Sequence, residues 1–351
     1  MARPDRGAAL AVVLWGLVVG GALLTLVTIL AVQEQRAAAA LRREEHGLVG
    51  AERVGAELIA TMTAGKLGAE VPRSFDSLSL VAGSDWNAVI RRLTSDVVLL
   101  EVAPRLPTGA ASREAAGVRL GWLLRPRPDS ISLVAAVSVG GPVSLGDGVV
   151  ISGVDSCSSP GSGIAGIVAP SVAVSGSARL EGSPPVLLQG GADFGVFDRF
   201  NDRATFVLPA GTYSTGPVTV GTSCDLQPST NWGDPVGLGA TCSGYLPVIR
   251  VDGDVTINGG VGQGILLVSG DLRITAPFTF HGMMIVKGAA DVTAPTDIRG
   301  ILAAAELRSG TGPVSQLKVQ YSKCIISNDL EFSASLSPLS SRAWIQLFQA
   351  P

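Results

Sequence analysis

Three aspartates in the last third of the chain have the side chains best suited to catalysis: Asp254, Asp271 and Asp291. Paired carboxylates on one face of a coiled β structure can cleave polysaccharides. Each of the three also stands at a predicted turn, where Asp commonly bonds to nearby backbone. Two of them directly follow a Gly. We therefore interpret all three as structural turn residues.

The two histidines do not complete a catalytic set. His281 stands alone beside Gly282 at a predicted corner, and His46 lies in a predicted helix. A nucleophile needs a base within hydrogen-bonding distance, and no Ser-His-Asp set can be argued. The cysteines form no CxxC pair, so no zinc site is predicted. We predict no catalytic residues, no metal ligands and no cofactor, and hence a protein that is not an enzyme.

The cysteines instead predict disulfides. An even number of them in the C-terminal two-thirds of the chain fits an exported domain, and they are Cys157, Cys224, Cys242 and Cys324. More than one complete pairing is compatible with the sequence. We favour Cys224–Cys242, which would close a single loop rich in Gly and Pro.

That loop contains the best candidates for ligand recognition, Trp232 and Asp234. Trp is enriched at binding hot spots. The alternative is that Trp232 packs against the flank of the β domain. The sequence does not choose between these two interpretations.

The N-terminal region must position everything that follows. Residues Ala8 to Val32 contain no charge and are almost entirely apolar. As a helix rising about 1.5 Å per residue, they would cover roughly 37 Å, against a hydrocarbon core about 30 Å thick. No small-residue cleavage site follows Val32, so we predict a retained membrane-spanning helix rather than a cleaved secretory signal.

The same helix continues beyond the apolar run. Between Gln33 and Met62 an apolar stripe recurs at helical spacing, formed by Leu41, Leu48, Ala51, Leu58 and Met62. Residues 8–65 are therefore predicted as one transmembrane and amphipathic stalk helix. Arginines lie on both sides of the apolar run, so charge alone does not set the orientation.

The start of this helix carries a family resemblance. Arg6-Gly7-Ala8-Ala9-Leu10-Ala11-Val12-Val13-Leu14 resembles the N-terminus of PilX-type type IV pilus assembly proteins, and Glu45-His46-Gly47-Leu48 is similar to a stretch common in that helix. The resemblance implies that residues 1–7 form a basic leader, which a membrane peptidase removes by cutting between Gly7 and Ala8. One position departs from the pattern, because Val12 stands where ordinary pilins have Glu.

Residues 66–130 are predicted to form a small β-containing module. Segments 97–102 and 118–124 are expected to be strands flanking a turn-like stretch, Pro107 to Glu114. Asp85 is a candidate N-cap of a short helix. The sequence Arg125-Pro126-Arg127-Pro128 is interpreted as a linker, because Pro cannot continue a strand ladder.

A repeat predicts the main domain, a β-solenoid over residues 131–335. Gly264, Gly282 and Gly300 are 18 residues apart, and each opens a short apolar strand. Segment 248–257 has the same shape. Repeats of this size bury a core only by stacking on their neighbours. Looser strands at 149–153, 172–176 and 217–221 extend the pattern, and a β-sandwich is the alternative.

The C-terminal tail, residues 336–351, is predicted to cap the solenoid, because an open sheet edge invites association. Trp344 and Phe348 are four residues apart and would share a helical face. The tail and Tyr321-Ser322-Lys323-Cys324 resemble parts of envelope proteins that join a PilX-like N-terminus to such a β domain.

These features predict a mainly β protein behind a long N-terminal helix. Its function is expected to be that of a minor pilin-like subunit for type IV pilus or pseudopilus assembly, surface display or adhesion. The expected location is the inner membrane in a single pass, with the β domain periplasmic or extracellular, and incorporation into a surface pilus. Expected partners are the lipid bilayer, other pilin-like subunits, the inner-membrane assembly machinery and an unspecified surface or carbohydrate ligand.

Composition narrows the remaining choices. The net charge is −3 and no basic block occurs, so nucleic-acid binding is not predicted. Two alternatives stay open: an envelope scaffold or adhesin unrelated to pili, and a carbohydrate-active β-helix enzyme.

Overall fold

The computed structural model describes residues 6–65, 67, 77–82, 85–94, 97–105, 119–157, 163–190, 192, 194–237, 241–308, 314, 316–339 and 344–347. Leader residues 1–5, the predicted turn at 107–114 and Phe348 lie outside this set.

Helix α1 (Arg6–Thr61) is a single element of 56 residues. Its second half packs on a β-sheet through the predicted stripe: Ala51 and, just past the helix, Met62 are buried, and Leu48 and Leu58 are half-buried against the same cluster. Leu41 is exposed, so the stripe begins later than the sequence predicts.

Four antiparallel strands follow and pair in chain order: β1 (Ser77–Ala82), β2 (Trp86–Arg92), β3 (Val98–Pro104) and β4 (Arg119–Arg127). The two strands predicted on either side of the turn-like stretch are thus confirmed as β3 and β4. The short helix predicted at Asp85 is wrong, because Asp85 is a turn residue and β2 begins at Trp86.

Two glycines let α1 approach this sheet closely. A Cβ added at Gly50 would lie 2.4 Å from the Trp86 ring, and one added at Gly55 would lie 2.4 Å from the Trp122 ring. Each indole therefore fills the space that a side chain on the helix would occupy. Buried aromatic rings contribute large apolar contact areas, so these two contacts fix the helix on the sheet.

The chain then enters a parallel β domain. Its first strands are β5 (Ala135–Val139), β6 (Val143–Leu145), β7 (Val150–Ser152), β8 (Ala165–Ala169), β9 (Val172–Val174), β10 (Arg179–Glu181) and β11 (Val186–Leu188). Helix α2 (Gly195–Phe200) leads to β12 (Phe206–Thr215), β13 (Thr219–Val220) and β14 (Ser223–Cys224). The domain ends with β15 (Val248–Val268), β16 (Leu272–Val292), β17 (Thr296–Arg308), β18 (Leu317–Gln320) and α3 (Lys323–Phe332).

The predicted 18-residue period is the pairing register of this domain. Gly264 pairs with Gly282, and Gly282 pairs with Gly300, in parallel. Among the described residues, the ten-stranded sheet consists of parallel pairs throughout. The mainly β architecture is confirmed as a large parallel sheet, and closure of each repeat into a solenoid coil stays a prediction. Segment 217–221 departs from the pattern, because β13 pairs antiparallel with β14.

The spatial order of the strands differs from their order in the chain. Along the described sheet it runs β10, β7, β18, β17, β16, β15, β12. The first strands of the domain therefore start in the middle of the sheet, and later ones are added towards the end that carries β10. The chain then passes through α2 to the opposite end of the sheet, where β12 lies. It then builds back until β17 and β18 pair with β5 and β7.

The C-terminal residues return to the first sheet. Strands β19 (Ser335–Pro338) and β20 (Trp344–Leu347) both pair antiparallel with β4. The parallel domain is therefore an insertion between two paired strands of the antiparallel sheet. The prediction of a helical capping tail is wrong for residues 344–347. These residues are extended, because they pair with the free edge of β4.

The linker predicted at residues 125–128 is also wrong in part. Residues Arg125 to Arg127 belong to β4, and Pro126 pairs with Leu336. The pairing between β3 and β4 ends at Leu124, so residues Arg125 to Arg127 have a neighbouring strand, β19, on one side only. Pro is tolerated where a strand has a neighbour on one side only.

Removal of the Gly55 contact tests how α1 is held. Gly55→Ala should lower the free energy of unfolding by about 1–3 kcal/mol, because the new methyl group overlaps the buried Trp122 ring. The measurement is urea unfolding of the protein in mild detergent, followed by tryptophan fluorescence. Gly21→Ala is the matched control, since a Cβ there meets nothing within 4 Å. Equal stability of Gly55→Ala and wild type would contradict this packing.

Candidate membrane anchor and surface groove

The first half of α1 is an apolar surface without a protein partner in the described chain. The segment Val13–Ala39 has 27 residues, a mean hydropathy of 2.4 and no buried residue. Trp15 is 75% exposed and Leu24 is 72% exposed. At about 1.5 Å per residue the segment is roughly 40 Å long, which is enough to cross a hydrocarbon core of about 30 Å.

A membrane span and a signal sequence share this length and composition. The helix does not end at the apolar segment. It continues without interruption to Thr61, and Ala51 is fully buried against the sheet. The apolar segment is therefore rigidly connected to the folded part of the protein.

The residues with a predicted role in processing lie at the start of this helix. α1 begins at Arg6, so Gly7, Ala8 and Val12 fall within its first two turns. Cleavage between Gly7 and Ala8 stays a prediction.

The predicted turn positions are wrong for Asp254 and Asp291, which lie in β15 and β16, but Asp254 and Asp271 both bond to backbone. Oδ1 of Asp254 accepts a hydrogen bond from the backbone N–H of Asp271 at 2.8 Å. Oδ1 of Asp271 accepts one from the N–H of Ala289, also at 2.8 Å. Asp291 forms an ion pair with Arg273 at 3.2 Å. Each of the first two carboxylates thus holds the next repeat in register.

A fourth aspartate does the same in the first part of the domain, and sequence analysis missed it. Asp147 accepts hydrogen bonds from the backbone N–H and the hydroxyl of Ser177. These bonds, with the backbone bond the larger cause, lower the pKa of Asp147. Only the Asp-Gly turn at 147–148 could have indicated the role.

The four cysteines form two disulfides. Cys224 bonds to Cys242, the pair favoured from the sequence, and Cys157 bonds to Cys324. The second bridge joins the loop after β7 to the start of α3. In the described part of the chain, no group of three His, Cys, Asp or Glu side chains lies close enough to hold a metal ion.

Trp232 takes the second of its two predicted roles. Its side chain is fully buried, its indole N–H donates to the carbonyl of Ser229, and its ring meets Phe278 edge to face at 6.5 Å. Asp234 is 1% exposed. Neither side chain is accessible to a partner, so any recognition at this loop depends on its exposed residues.

A groove of about 700 Å³ lies beside this loop. Gln263 and His281, which pair in register on β15 and β16, line its floor. One wall is formed by Cys224, Leu226, Thr241 and residues 243–246, around the Cys224–Cys242 bridge, and the other is one face of α3. The residues that contribute from these walls include Ser243, Tyr245, Ile325, Asn328 and Phe332.

The loop wall is fixed from below. Nε2 of Gln263 lies within hydrogen-bonding distance of three loop carbonyls, those of Cys242, Ser243 and Tyr245, at 2.8–3.0 Å. The Tyr245 ring meets Phe332 of α3 edge to face at 6.2 Å. The groove is therefore preformed.

Among the described side chains that line the groove, those of His281, Asn328 and Glu331 make no hydrogen bond or ion pair, and the buried hydroxyl of Tyr245 also has no hydrogen-bond partner. Burial lowers the pKa of His281, Arg299 lowers it further, and Asp297 opposes both. Neutral imidazole has one donor and one acceptor nitrogen. The groove thus presents neutral donors and acceptors beside a single carboxylate.

Asp329, which sequence analysis missed, is buried behind the groove on α3. Its side chain is 1% exposed, and neither carboxylate oxygen has a hydrogen-bond partner in the described structure. It lies over Gly282, where an added Cβ would be 2.6 Å from Oδ2. Burial raises the pKa of Asp329 well above its ordinary value. Nothing in the local sequence marks this position as buried.

Comparison with known proteins adds little. No protein-family model matches the chain, and no curated protein matches it in sequence. Among solved structures, the crystal structure of the competence-associated pilin ComZ from Thermus thermophilus is similar over 86% of this chain and 95% of that chain. Sequence identity is 11% and the TM-score is 0.25. At this TM-score nothing about ComZ transfers to this chain.

Asp329 makes the stability of the protein depend on pH. The unfolded chain loses this proton above about pH 4, while the folded protein retains it, so stability should fall as pH rises from about 4 towards the raised folded pKa. Asp329→Asn removes this loss. The variant should gain stability over wild type progressively from pH 4 to pH 8, measured by urea unfolding.

The matched control for this experiment is Asp202→Asn, on an exposed aspartate. A constant difference between Asp329→Asn and wild type at every pH would show that the carboxyl does not titrate on unfolding, and would contradict this account.

Charge placed in the apolar segment should abolish membrane insertion. Leu17→Arg combined with Leu24→Arg introduces two residues that each disfavour a helix-centre position by about 2.5–3.5 kcal/mol. The protein should leave the membrane pellet after alkaline carbonate extraction. Val174→Arg combined with Leu188→Arg, at exposed positions of the β domain, should stay in the pellet. Retention of the first variant would contradict a membrane span.

Proposed function

We propose that this protein is a pilin-like, membrane-anchored, non-enzymatic subunit that displays its β domain outside the cytoplasm. The observation that carries the proposal is the division of α1. From Leu48 onward its apolar side chains pack on an antiparallel sheet, and Val13–Ala39 is a fully exposed apolar rod on the same axis. This arrangement suits a subunit that waits in a bilayer and then packs its helix among those of other subunits.

The exchange between lipid and other helices is physically easy for such a rod. Lipid tails are as apolar as Leu, so helix association in a membrane depends on close packing rather than on hydrophobic burial. Gly16 and Gly20 stand four residues apart, and a Cβ at either would meet nothing within 4 Å. Small residues at that spacing let helix backbones approach.

The disulfides support the orientation that charge leaves open. Disulfides persist in oxidising compartments and are rare in the cytosol. The bridges Cys157–Cys324 and Cys224–Cys242 both lie beyond the membrane segment. The β domain is therefore proposed to be periplasmic or extracellular, with the protein in the inner membrane before assembly.

The finer proposal is a PilX-type minor subunit for type IV pilus or pseudopilus assembly, surface display or adhesion. Its support is the resemblance around the Gly7–Ala8 junction. Its proposed partners are other pilin-like subunits and the inner-membrane assembly machinery.

A second function is favoured by one residue. Val12 replaces the Glu that ordinary pilins use in subunit docking, which favours a static envelope scaffold or adhesin unrelated to pili. The enzyme alternative has less support, because Asp254 and Asp271 bond to backbone rather than facing a substrate together.

Processing at the N-terminus separates the two functions. In cells that contain a prepilin peptidase, intact-mass analysis should find a mature chain beginning at Ala8, and Gly7→Val should leave Met1 in place. Gly16→Val, inside the apolar segment, is the control and should be processed normally. Wild-type protein that retains Met1 would contradict the pilin-like function and favour the scaffold.

A further inference from the structure

We infer that the groove between the disulfide-closed loop and α3 is a binding site for a neutral saccharide chain. The inference rests on the proposed function, because a displayed site is useful only outside the cytoplasm. Binding is tested below on purified protein, so its failure and failure of the membrane or processing experiments are distinguishable.

The dimensions and rigidity of the groove suit a small ligand. Its volume of about 700 Å³ falls within the range of roughly 300–1,000 Å³ typical of ligand pockets. The Cys224–Cys242 bridge and the Gln263 hydrogen bonds hold one wall in place. Rigid walls favour affinity because less conformational freedom is lost on binding.

A second cavity adjoins the groove at its aromatic pair. A smaller cavity of about 350 Å³ shares Tyr245 and Phe332 with it and extends towards Thr61 at the end of α1. Two neighbouring cavities that share aromatic walls can hold successive units of a chain. This observation favours an oligosaccharide over a single sugar.

The chemistry of the walls identifies the class of ligand. A sugar hydroxyl both donates and accepts hydrogen bonds. The free amide of Asn328 and the imidazole of His281 offer both functions, and the Glu331 carboxylate accepts. The apolar face of a sugar ring can pack against the exposed part of Phe332, which is half-buried. This combination of planar polar groups with an aromatic side chain matches a hydroxyl-rich ring.

Charge argues for a neutral chain. Glu331 is the acidic side chain among the described residues that line the groove, and a carboxylate there disfavours uronic acid or phosphate groups. Arg299 pairs in register with His281 but lines a different cleft, with Lys318 and Glu181. An acidic polymer would therefore gain no paired cation in the groove.

The experiment is titration calorimetry on the full-length protein in lipid nanodiscs with three tetrasaccharides. Cellotetraose and chitotetraose are the neutral probes, and tetragalacturonate is the anionic probe. At least one neutral probe should bind with a Kd of about 1 mM or tighter, and tetragalacturonate should bind more weakly. The peptide Gly-Ser-Gly-Ser, which is polar but lacks a ring, should not bind.

Asn328→Ala should weaken binding of the neutral probe about threefold to tenfold, the loss expected for one or two hydrogen bonds. Asn328 is exposed on a helix, where Ala is the better helix former, so the variant should fold normally. Asn87→Ala, on an exposed asparagine of β2, is the matched control and should bind like wild type.

Three results would overturn the proposal: neither neutral probe binds, tetragalacturonate or the peptide binds as tightly as the neutral probes, or Asn328→Ala binds as well as the control variant.

Discussion

The pairing of β4 with β19 constrains the rest of the fold. Arg127 and Ser335 are register partners, so the inserted chain between them must leave and return at one place. A stack of repeats built in a single direction would bring the chain back at the wrong end. The stack instead grows from the middle in two directions, and its last repeat joins its first through the pairs between β17 and β5 and between β18 and β7.

The segment that returns from the parallel domain to β19 must also be held in place. Helix α3 lies between the last parallel strand and β19, and it packs across β15, β16 and β17, where Asp329 lies against Gly282. The Cys157–Cys324 bridge ties its start to the first half of the stack. A close helix approach to a sheet needs positions without side chains, and Gly282, at a φ of +142°, also has a backbone conformation that favours glycine. The buried Asp329 is the unfavourable consequence, because no polar partner reaches it there.

The groove follows from the same arrangement. Its two walls, α3 and the loop closed by Cys224–Cys242, come from opposite ends of the second half of the domain. They face each other because α3 must cross the sheet to reach β19. The close Gly–Trp contacts hold the C-terminal part of α1 on the antiparallel sheet and leave its apolar N-terminal part exposed.

Local patterns in the sequence were sufficient for several elements. The uncharged run after Gly7 determined the apolar helix, since composition and length alone decide whether a helix can span lipid. The spacing of Gly264, Gly282 and Gly300 determined the parallel register, because repeats pair with their equivalents. The Gly-Asp pairs at 253–254 and 270–271 indicated that these carboxylates bond to backbone, an interaction made between neighbouring repeats.

Long-range pairing decided everything else. The sequence pattern placed Trp344 on a helix and Pro126 in a linker, but a free edge of β4 made both part of a sheet. It left Trp232 between surface and core, and it gave no sign that Asp329 would be buried or that Asn328 would face Gln263 and His281 across a groove. Such outcomes depend on which distant segments meet, and the energy of those contacts is absent from any local window of residues. The sequence by itself determined the apolar helix and the period of the repeat, whereas only the tertiary structure decided the order of the strands, the return of the C-terminus and the groove beside α3.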